Sequence, residues 1–225
     1  MDISIVIPVL NEAGSLPAAL PRARAAQVRE LIVVDGGSVD DTVAVARRYT
    51  EFILVGPRGR ATQMNAGAAQ ATGEVLLFLH ADTWLPAGFD AAVANALTDP
   101  RVVGGRFDVR LEPSSRLLRV VAALMNLRSR LSRIATGDQA IFVRRQTFER
   151  IGGFAEMPLM EDIAFTRALK RAGRIACLRE CVTTSSRRWQ RNGVLRTILL
   201  MWMLRLLYFC GVSPSRLRAM YTDTR

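Results

Sequence analysis

The sequence predicts an α/β fold, a mostly parallel sheet flanked by helices, with a hydrophobic helical appendage at the C-terminus. Three observations carry that prediction. Short, continuously apolar runs alternate with helix-forming stretches through the first half of the chain, the pattern of parallel strands covered on both faces. Half of the 225 residues are apolar, enough for a sizeable core and too many for a disordered chain. A second apolar stretch, residues 194–212, stands apart near the end, interrupted by Arg196 and Arg205.

Taken in order, residues 3–7 are a β-branched strand stopped by Pro8, and the alanine-rich residues 15–28 predict a helix. Residues 31–34 form a second strand, and Asp35-Gly36-Gly37-Ser38 turns the chain into a helix over 40–49, capped by Asp40 or Ser38. A strand at 52–55, a helix at 61–71 and a strand at 75–79 follow. Residues 102–111 alternate imperfectly, as a longer strand of a mixed sheet does. Residues 114–133 carry five arginines and no acid, interleaved with leucine, valine and methionine. A strand at 140–143 and a helix at 161–171, ended by Gly173, complete the domain. With no repeat or low-complexity linker, one domain spans 1–190 and a hydrophobic, basic helical segment spans 191–225.

The net charge of +11 calls for an anionic partner: a nucleic acid, a phosphate-bearing substrate or a membrane face. Nucleic acid is disfavoured, because no recognition motif or aromatic series is present. Cys177, Cys181 and Cys210 form no paired framework, and the start lacks the basic residues of a signal peptide. Both features predict a reducing, cytoplasmic location. The lone histidine, His80, is too remote from Cys177 and Cys181 in sequence to suggest a zinc site.

The appendage approaches the length of a membrane span, but Arg205 near its middle would cost roughly 2.5–3.5 kcal/mol at the bilayer centre. Arg196 and Arg205, nine residues apart, fall on opposite helical faces, so one clean amphipathic stripe is absent. From Arg187 onward there are eight arginines and one acid. A helix lying on the anionic inner face of the cell membrane fits that composition. A helix packed on the domain, or on a second subunit in a homo-oligomer, is the competing expectation.

Ligands of open α/β sheets bind beyond the carboxyl ends of the strands. Asn11 and Glu12 follow the first strand, Asp35 the second and Asp82 the fourth. Each alone is an ordinary turn residue. Together they make a polar rim. The glycine spacing of a dinucleotide site is missing, which disfavours a nicotinamide enzyme.

The segments Pro8-Val9-Leu10-Asn11-Glu12 and Val33-Val34-Asp35-Gly36-Gly37-Ser38-Val39-Asp40-Asp41-Thr42 resemble those of family 2 glycosyltransferases of the Rossmann-like GT-A fold. So do the stretch from Arg58 to Gly67 and Phe78-Leu79-His80-Ala81-Asp82, where the family places its Asp-x-Asp. Gly137-Asp138-Gln139, Gly152-Gly153-Phe154 and Glu161-Asp162 follow in the family's order, so the resemblance covers residues 3 to about 189.

This resemblance implies transfer of a sugar from a nucleoside-diphosphate sugar to an acceptor hydroxyl, with inversion at the anomeric carbon. Pro8, Asn11, Glu12, Asp35, Gly36, Ser38 and Asp40 would hold the nucleoside, and Arg60 and Asn65 would lie near the base or diphosphate. Beside Ala81, Asp82 would bind a divalent cation, Mg²⁺ or Mn²⁺, with His80, standing where the family has an acid, as a second candidate ligand or a packing residue. Asp162 resembles the catalytic base, while Asp138, Gln139 and Glu161 would support it or the acceptor. Arg188-Trp189 resembles an acceptor-side Arg-Trp motif, and Ser185 in place of its usual upstream glutamine argues against processive synthesis. A hydrophobic C-terminal helix suggests a lipid-like acceptor. A member that has lost catalysis, a membrane-associated nucleotide-sugar-binding scaffold, is the alternative that Asp82 and Asp162 argue against.

Overall fold

The computed structural model describes residues 1–24 and 28–221; residues 25–27 of the helix expected at 15–28, and the final four residues, lie outside the described residues. Four strands open the sheet: β1 (Ile3–Val9), β2 (Glu30–Asp35), β3 (Ile53–Val55) and β4 (Val75–Phe78). Between them run α1 (Leu16–Arg24), α2 (Thr42–Ala46) and α3 (Arg60–Gln70). The second half adds β5 (Thr83–Trp84), α4 (Phe89–Ala96), β6 (Val102–Glu112), α5 (Arg116–Ser132) and a 3₁₀ turn at Gly137–Gln139. Then come β7 (Ile141–Arg144), α6 (Arg145–Arg150), α7 (Glu161–Ala172) and β8 (Arg174–Ser185). Three helices close the chain: α8 (Arg187–Asn192), α9 (Val194–Phe209) and α10 (Pro214–Met220).

The eight strands form one sheet in the order β3-β2-β1-β4-β7-β6-β8-β5. Neighbours among β3, β2, β1 and β4 are parallel, as are β6 and β8; β7 runs antiparallel to both its neighbours, and β5 to β8. The sheet is therefore mixed, with the parallel half where the sequence places it.

Strand alternation sends Ile3, Ile5, Ile7 and Val9 into one core layer and Val6 into the other. Each such side chain, fully buried, stabilises the fold by about 1.5–3 kcal/mol. On the second face α3 lies very close to the sheet. A Cβ at Gly67 would collide with Val6, so only glycine permits that approach.

Register decides what gathers at the rim. Val9 stands opposite Asp35, so the loops after β1 and β2 emerge side by side. Val6 pairs with Phe78, which in turn faces Ile141 of the antiparallel β7. The loop after β4 and the turn before β7 thus reach the same edge. Ser185, ending β8, donates its N–H to the Asp82 carbonyl (3.0 Å) and draws that strand end in as well.

Several elements depart from expectation. The helix expected at 40–49 contracts to α2, and neither Asp40 nor Ser38 is its N-cap; Asp41 holds that position without a side-chain cap bond. Asp40 accepts the Thr42 N–H (3.0 Å) from one residue further out, and the Ser38 hydroxyl is engaged across the rim with the Asn11 N–H (2.9 Å). Residues 114–133 form α5, whose N-cap Ser115 accepts the Leu118 N–H (3.2 Å).

The C-terminal helices pack on the domain. Val194 and Ile198 of α9 meet Leu118, Val121 and Ala122 of α5. Leu204, Leu217 and Tyr221 meet Leu159, Met160 and Ile163 around the start of α7. Among the described residues no helix is long and apolar enough to cross a membrane.

Candidate active site

Two loops build one side of the site. Asn11 adopts a positive φ of 53°, and its backbone N–H and side-chain oxygen bond Ser38 and the Val39 N–H (both 2.9 Å). Asp35 is buried; its Oδ2 accepts the N–H groups of Gly37 (3.0 Å) and Ser38 (2.9 Å), and the Ser38 hydroxyl donates to Oδ1. Much of the acceptor capacity of Asp35 thus shapes the turn itself. Glu12 is buried as well, accepting the Ser15 hydroxyl (2.7 Å) with Arg187 at 3.6 Å, and its N–H donates to Thr42 (2.8 Å). Asp40 is exposed; slight burial raises its carboxyl, but hydrogen bonds from the Thr42 hydroxyl and N–H and the Ala13 N–H hold it below the usual range. Pro8 and Ala81 are buried in the walls.

Gln63 lies within the Arg58–Gly67 stretch but received no role from the sequence, having no charge to mark it. Its Nε2 donates to the carbonyls of Val9 (2.8 Å) and Val34 (2.7 Å), stitching β1 to β2 beneath the rim. Gly36 lies directly over it, and a Cβ there would stand 3.0 Å from the Gln63 Oε1. Asn65 is similarly occupied: its amide donates to the Phe154 carbonyl (2.8 Å) and accepts the Phe154 N–H (2.9 Å), locking α3 to the Gly152-Gly153-Phe154 turn.

The acids of the second half converge on the turn before β7. Asp162, in the first turn of α7, accepts the Gly137 N–H on Oδ2 (2.9 Å) and the Ile163 N–H on Oδ1 (2.7 Å). Two backbone donors fix the carboxylate's direction and leave each oxygen a further lone pair. The helix N-terminus behind it favours negative charge. His80 Nδ1 lies 3.4 Å from Asp138 Oδ1, and the ring packs so tightly on Gly137 that a Cβ there would sit well under 3.0 Å from Cε1 and Nε2. A continuous path of contacts therefore joins the 80–82 loop to Asp162 through His80 and the Gly137–Gln139 turn.

The Asp138 side chain is 41 % exposed. Burial pushes its carboxyl upward, but the His80 hydrogen bond and charge, with Arg188 and Arg60 beyond, hold it well below the usual carboxylate range. Glu161 is buried with Arg60 at 3.7 Å. Burial, with the neighbouring Asp162 charge, raises its carboxyl above the ordinary value. Met160, just before it, holds a positive φ of 72°, backbone strain of the kind that clusters at working sites.

Asp82 is half-buried, and among the described residues no donor reaches its carboxylate; its backbone carbonyl alone is tied, to Ser185 and Thr184. Gln139 is fully buried, with its Oε1 accepting the Thr136 N–H (3.3 Å). Arg188 lies over the Tyr221 ring at 5.2 Å, and Trp189 packs in the apolar cluster between α5 and α9. A separate groove of about 370 Å³, lined by Ile134, Arg167, Lys170, Arg171 and Phe209, holds none of these residues.

The mixed sheet with an acidic rim at its strand ends defines a GT-A-type protein. Residues 4–156 match the model of Glycosyl transferase family 2, and the chain belongs to that family. It is 38 % identical over 87 residues to an uncharacterised glycosyltransferase of Mycobacterium tuberculosis, a match covering 38 % of this chain and 39 % of that relative. It is 37 % identical over 97 residues to the undecaprenyl-phosphate 4-deoxy-4-formamido-L-arabinose transferase of Pseudomonas syringae, covering 37 % of this chain and 29 % of the other. The chain thus spans well under half the length of these curated relatives. Among solved structures, glucosyl-3-phosphoglycerate synthase from M. tuberculosis, with Mn²⁺, UDP-glucose and phosphoglyceric acid, superposes with a TM-score of 0.64 at 21 % identity, covering 94 % of this chain and 80 % of that one. TarS from S. aureus, with UDP-GlcNAc, gives 0.68 at 19 % identity, covering 83 % and 59 %. At these identities the likeness concerns the fold.

Proposed function

We propose that the protein transfers a glycosyl group from a nucleoside-diphosphate sugar to an acceptor hydroxyl with inversion, Asp162 acting as the base. The observation that carries this reading is the contact path from the Asp82 loop through His80 and Gly137 to the Asp162 carboxylate. An acceptor hydroxyl between the two acids would bond to the anomeric carbon as the bond from that carbon to the diphosphate oxygen breaks. Its proton passes to Asp162, and the bonding pair leaves with the diphosphate. Asn11, Glu12, Asp35, Ser38 and Asp40 would shape the nucleoside pocket, and Arg60 with Glu161 and Asp138 the floor.

The donor set fits a divalent cation. Among the described residues no three His, Cys, Asp or Glu side chains cluster as a metal cage, but Mg²⁺ and Mn²⁺ are commonly held by one or two carboxylates plus substrate phosphates and water. The unencumbered Asp82 carboxylate suits that role. His80, facing Asp138 and packed on Gly137, suits positioning instead. When bound, the cation would supply positive charge to the departing diphosphate. The M. tuberculosis synthase, solved with Mn²⁺ and UDP-glucose, supports this.

The acceptor is proposed to be lipid-linked and the protein to rest on the inner membrane face. On α5, Leu117, Val120, Leu124, Leu127 and Leu131 are exposed, and on α9 beside it Leu195, Leu199, Trp202 and Leu206. The name of the P. syringae relative, which includes undecaprenyl phosphate, supports a lipid acceptor. Three free cysteines suit a cytoplasmic location. Trp202 fluorescence should shift blue with anionic vesicles; no shift, with self-association in its place, would assign the surface to a homo-oligomer.

Thermal denaturation against UDP-, GDP- and dTDP-sugars with Mn²⁺ tests the central reading. A ligand at 100 times its dissociation constant adds about 2.7 kcal/mol. Asp162→Asn should retain that stabilisation and lose turnover by at least about 100-fold. No stabilisation by any nucleotide with metal would refute the assignment.

A further inference from the structure

Arg128 of α5 and Arg205 of α9 are half-buried, and neither belongs to the motifs that mark the family. Two nitrogens of Arg128, Nε and Nη2, are buried with no hydrogen-bond partner. Arg205 lies close enough to repel it, and both guanidiniums feel the charges of Asp162 and Asp138. Helix packing explains the pairing. Val194 and Ile198 sit in one cluster with Leu118 and Val121, and Leu204 clusters with Ile134, just past the end of α5. The two helices therefore run in the same direction, and Arg205 and Arg128, each seven residues on from Ile198 and Val121, fall on the same stretch. Leu204, fully buried, packs in one cluster with Ile163, the residue after the proposed base, which brings this stretch of α9 to the site.

A guanidinium with two buried, unpartnered nitrogens and a second cation nearby is an unfavourable arrangement. Burial, with the Arg205 charge beside it, pushes the Arg128 guanidinium down to about 10, so it stays charged at neutral pH. What the pair lacks is an acceptor of hydrogen bonds carrying negative charge. A planar guanidinium fork matches a phosphate in geometry and charge.

We propose that Arg128 and Arg205 form an anion site for a phosphate group on the acceptor, holding it so that its hydroxyl lies against Asp162. This rests on the transfer reading above and adds the acceptor's chemical class. The donor's diphosphate is assigned elsewhere, to the Asp82 side, where a cation neutralises it. The acceptor phosphate, with no cation of its own, takes the arginines. Nothing is transferred to or from it. It anchors the molecule whose hydroxyl gains the sugar.

The test is calorimetric titration of the full chain with inorganic phosphate in metal-free, low-salt buffer, comparing wild type with Arg128→Met and Arg205→Met. Each variant should weaken phosphate binding by at least about 10-fold, the worth of a charge-assisted hydrogen bond. Both should bind UDP with Mn²⁺ within about threefold of wild type. Their Tm should stay level or rise, because an apolar side chain replaces a poorly paired cation. Unchanged phosphate binding in both variants overturns the proposal. So does loss of UDP–Mn²⁺ binding in parallel, which would give the arginines to the donor, and so does a Tm drop beyond about 5 °C, which would make them structural. Glycerol 3-phosphate and monomeric dihexanoyl phosphatidic acid should displace phosphate; the tighter of the two tells a water-soluble acceptor from a lipid one, and displacement by neither refutes the site. If no nucleotide binds any form of the protein, the transfer reading fails while the phosphate result stands by itself.

Discussion

Gly137→Ala tests the contact that unites the site. The added methyl would sit well under 3.0 Å from Cε1 and Nε2 of His80, whereas carbon atoms rest comfortably at about 3.5–4.0 Å. Relief requires a shift on the order of 1 Å by the His80 ring or the turn. Neither moves freely, for His80 faces Asp138 and the Gly137 N–H holds Asp162. Overpacking of this kind costs about 1–3 kcal/mol of stability. A displacement of about 1 Å at a reacting group costs roughly 100-fold in rate. Metal-free nucleotide affinity should change little, because the proposed nucleoside loops after β1 and β2 make none of these contacts. Urea denaturation, nucleotide titration and turnover with the preferred donor separate the three effects. His80→Ala in the Gly137→Ala background should recover part of the stability, giving a coupling of at least about 1 kcal/mol in the double-mutant cycle. Additivity within about 0.5 kcal/mol would show that the two residues do not press on each other, and the reasoning would be wrong.

Two further outcomes follow from charges away from the rim and within it. Asp108→Ala strands Arg106, which is 1 % exposed and pairs with Asp108 beside Arg130, so unfolding free energy should fall by about 3–5 kcal/mol in urea titrations. Asp138→Asn removes a carboxyl whose folded value is depressed, so its stabilising effect is present above the ordinary carboxyl range and lost as pH falls toward the folded value. The variant should therefore be less stable than wild type at pH 7, with the gap closing in acid; a gap that does not vary with pH from 7 down to 3 would deny the His80–Asp138 pairing that role.

The parallel half of the sheet was legible because β1, β2 and β4 carry buried apolar runs, residues 5–7, 31–34 and 75–78, so hydrophobicity and strand identity coincide there. β8 was not. Its twelve residues include Arg174, Arg179, Glu180, Thr183 and Thr184, and its backbone pairing with β6 leaves no apolar signature. At the candidate site, the sequence nominated residues where a motif places an acid at a strand or helix end. What each acid bonds to was hidden, since Asp35 and Asn65 are engaged by the backbone of residues chosen by the fold, and Gln63 acts through carbonyls every sequence possesses. Residue type announces capacity, and only register tells whether that capacity remains free for a ligand.

The same distinction resolves the awkward composition of α9. Read as a helical wheel, Arg196 and Arg205 on opposite faces spoil any amphipathic stripe, and the helix looks unsuited both to a bilayer and to a core. In the fold the faces do different work. Arg196 is exposed with Leu195 and Leu199, where an arginine can snorkel at an anionic surface, whereas Arg205 turns inward toward Arg128 and the acids. A helix that needed only to pack would carry an apolar residue at 205, since replacing a buried cation by a hydrophobic group is commonly neutral or stabilising. An inward arginine beside another arginine is costly in the unliganded protein and becomes favourable once an anion arrives. On the proposed reading, the outward apolar face and the inward cation belong to one arrangement, in which an acceptor phosphate would meet its countercharge next to the proposed base.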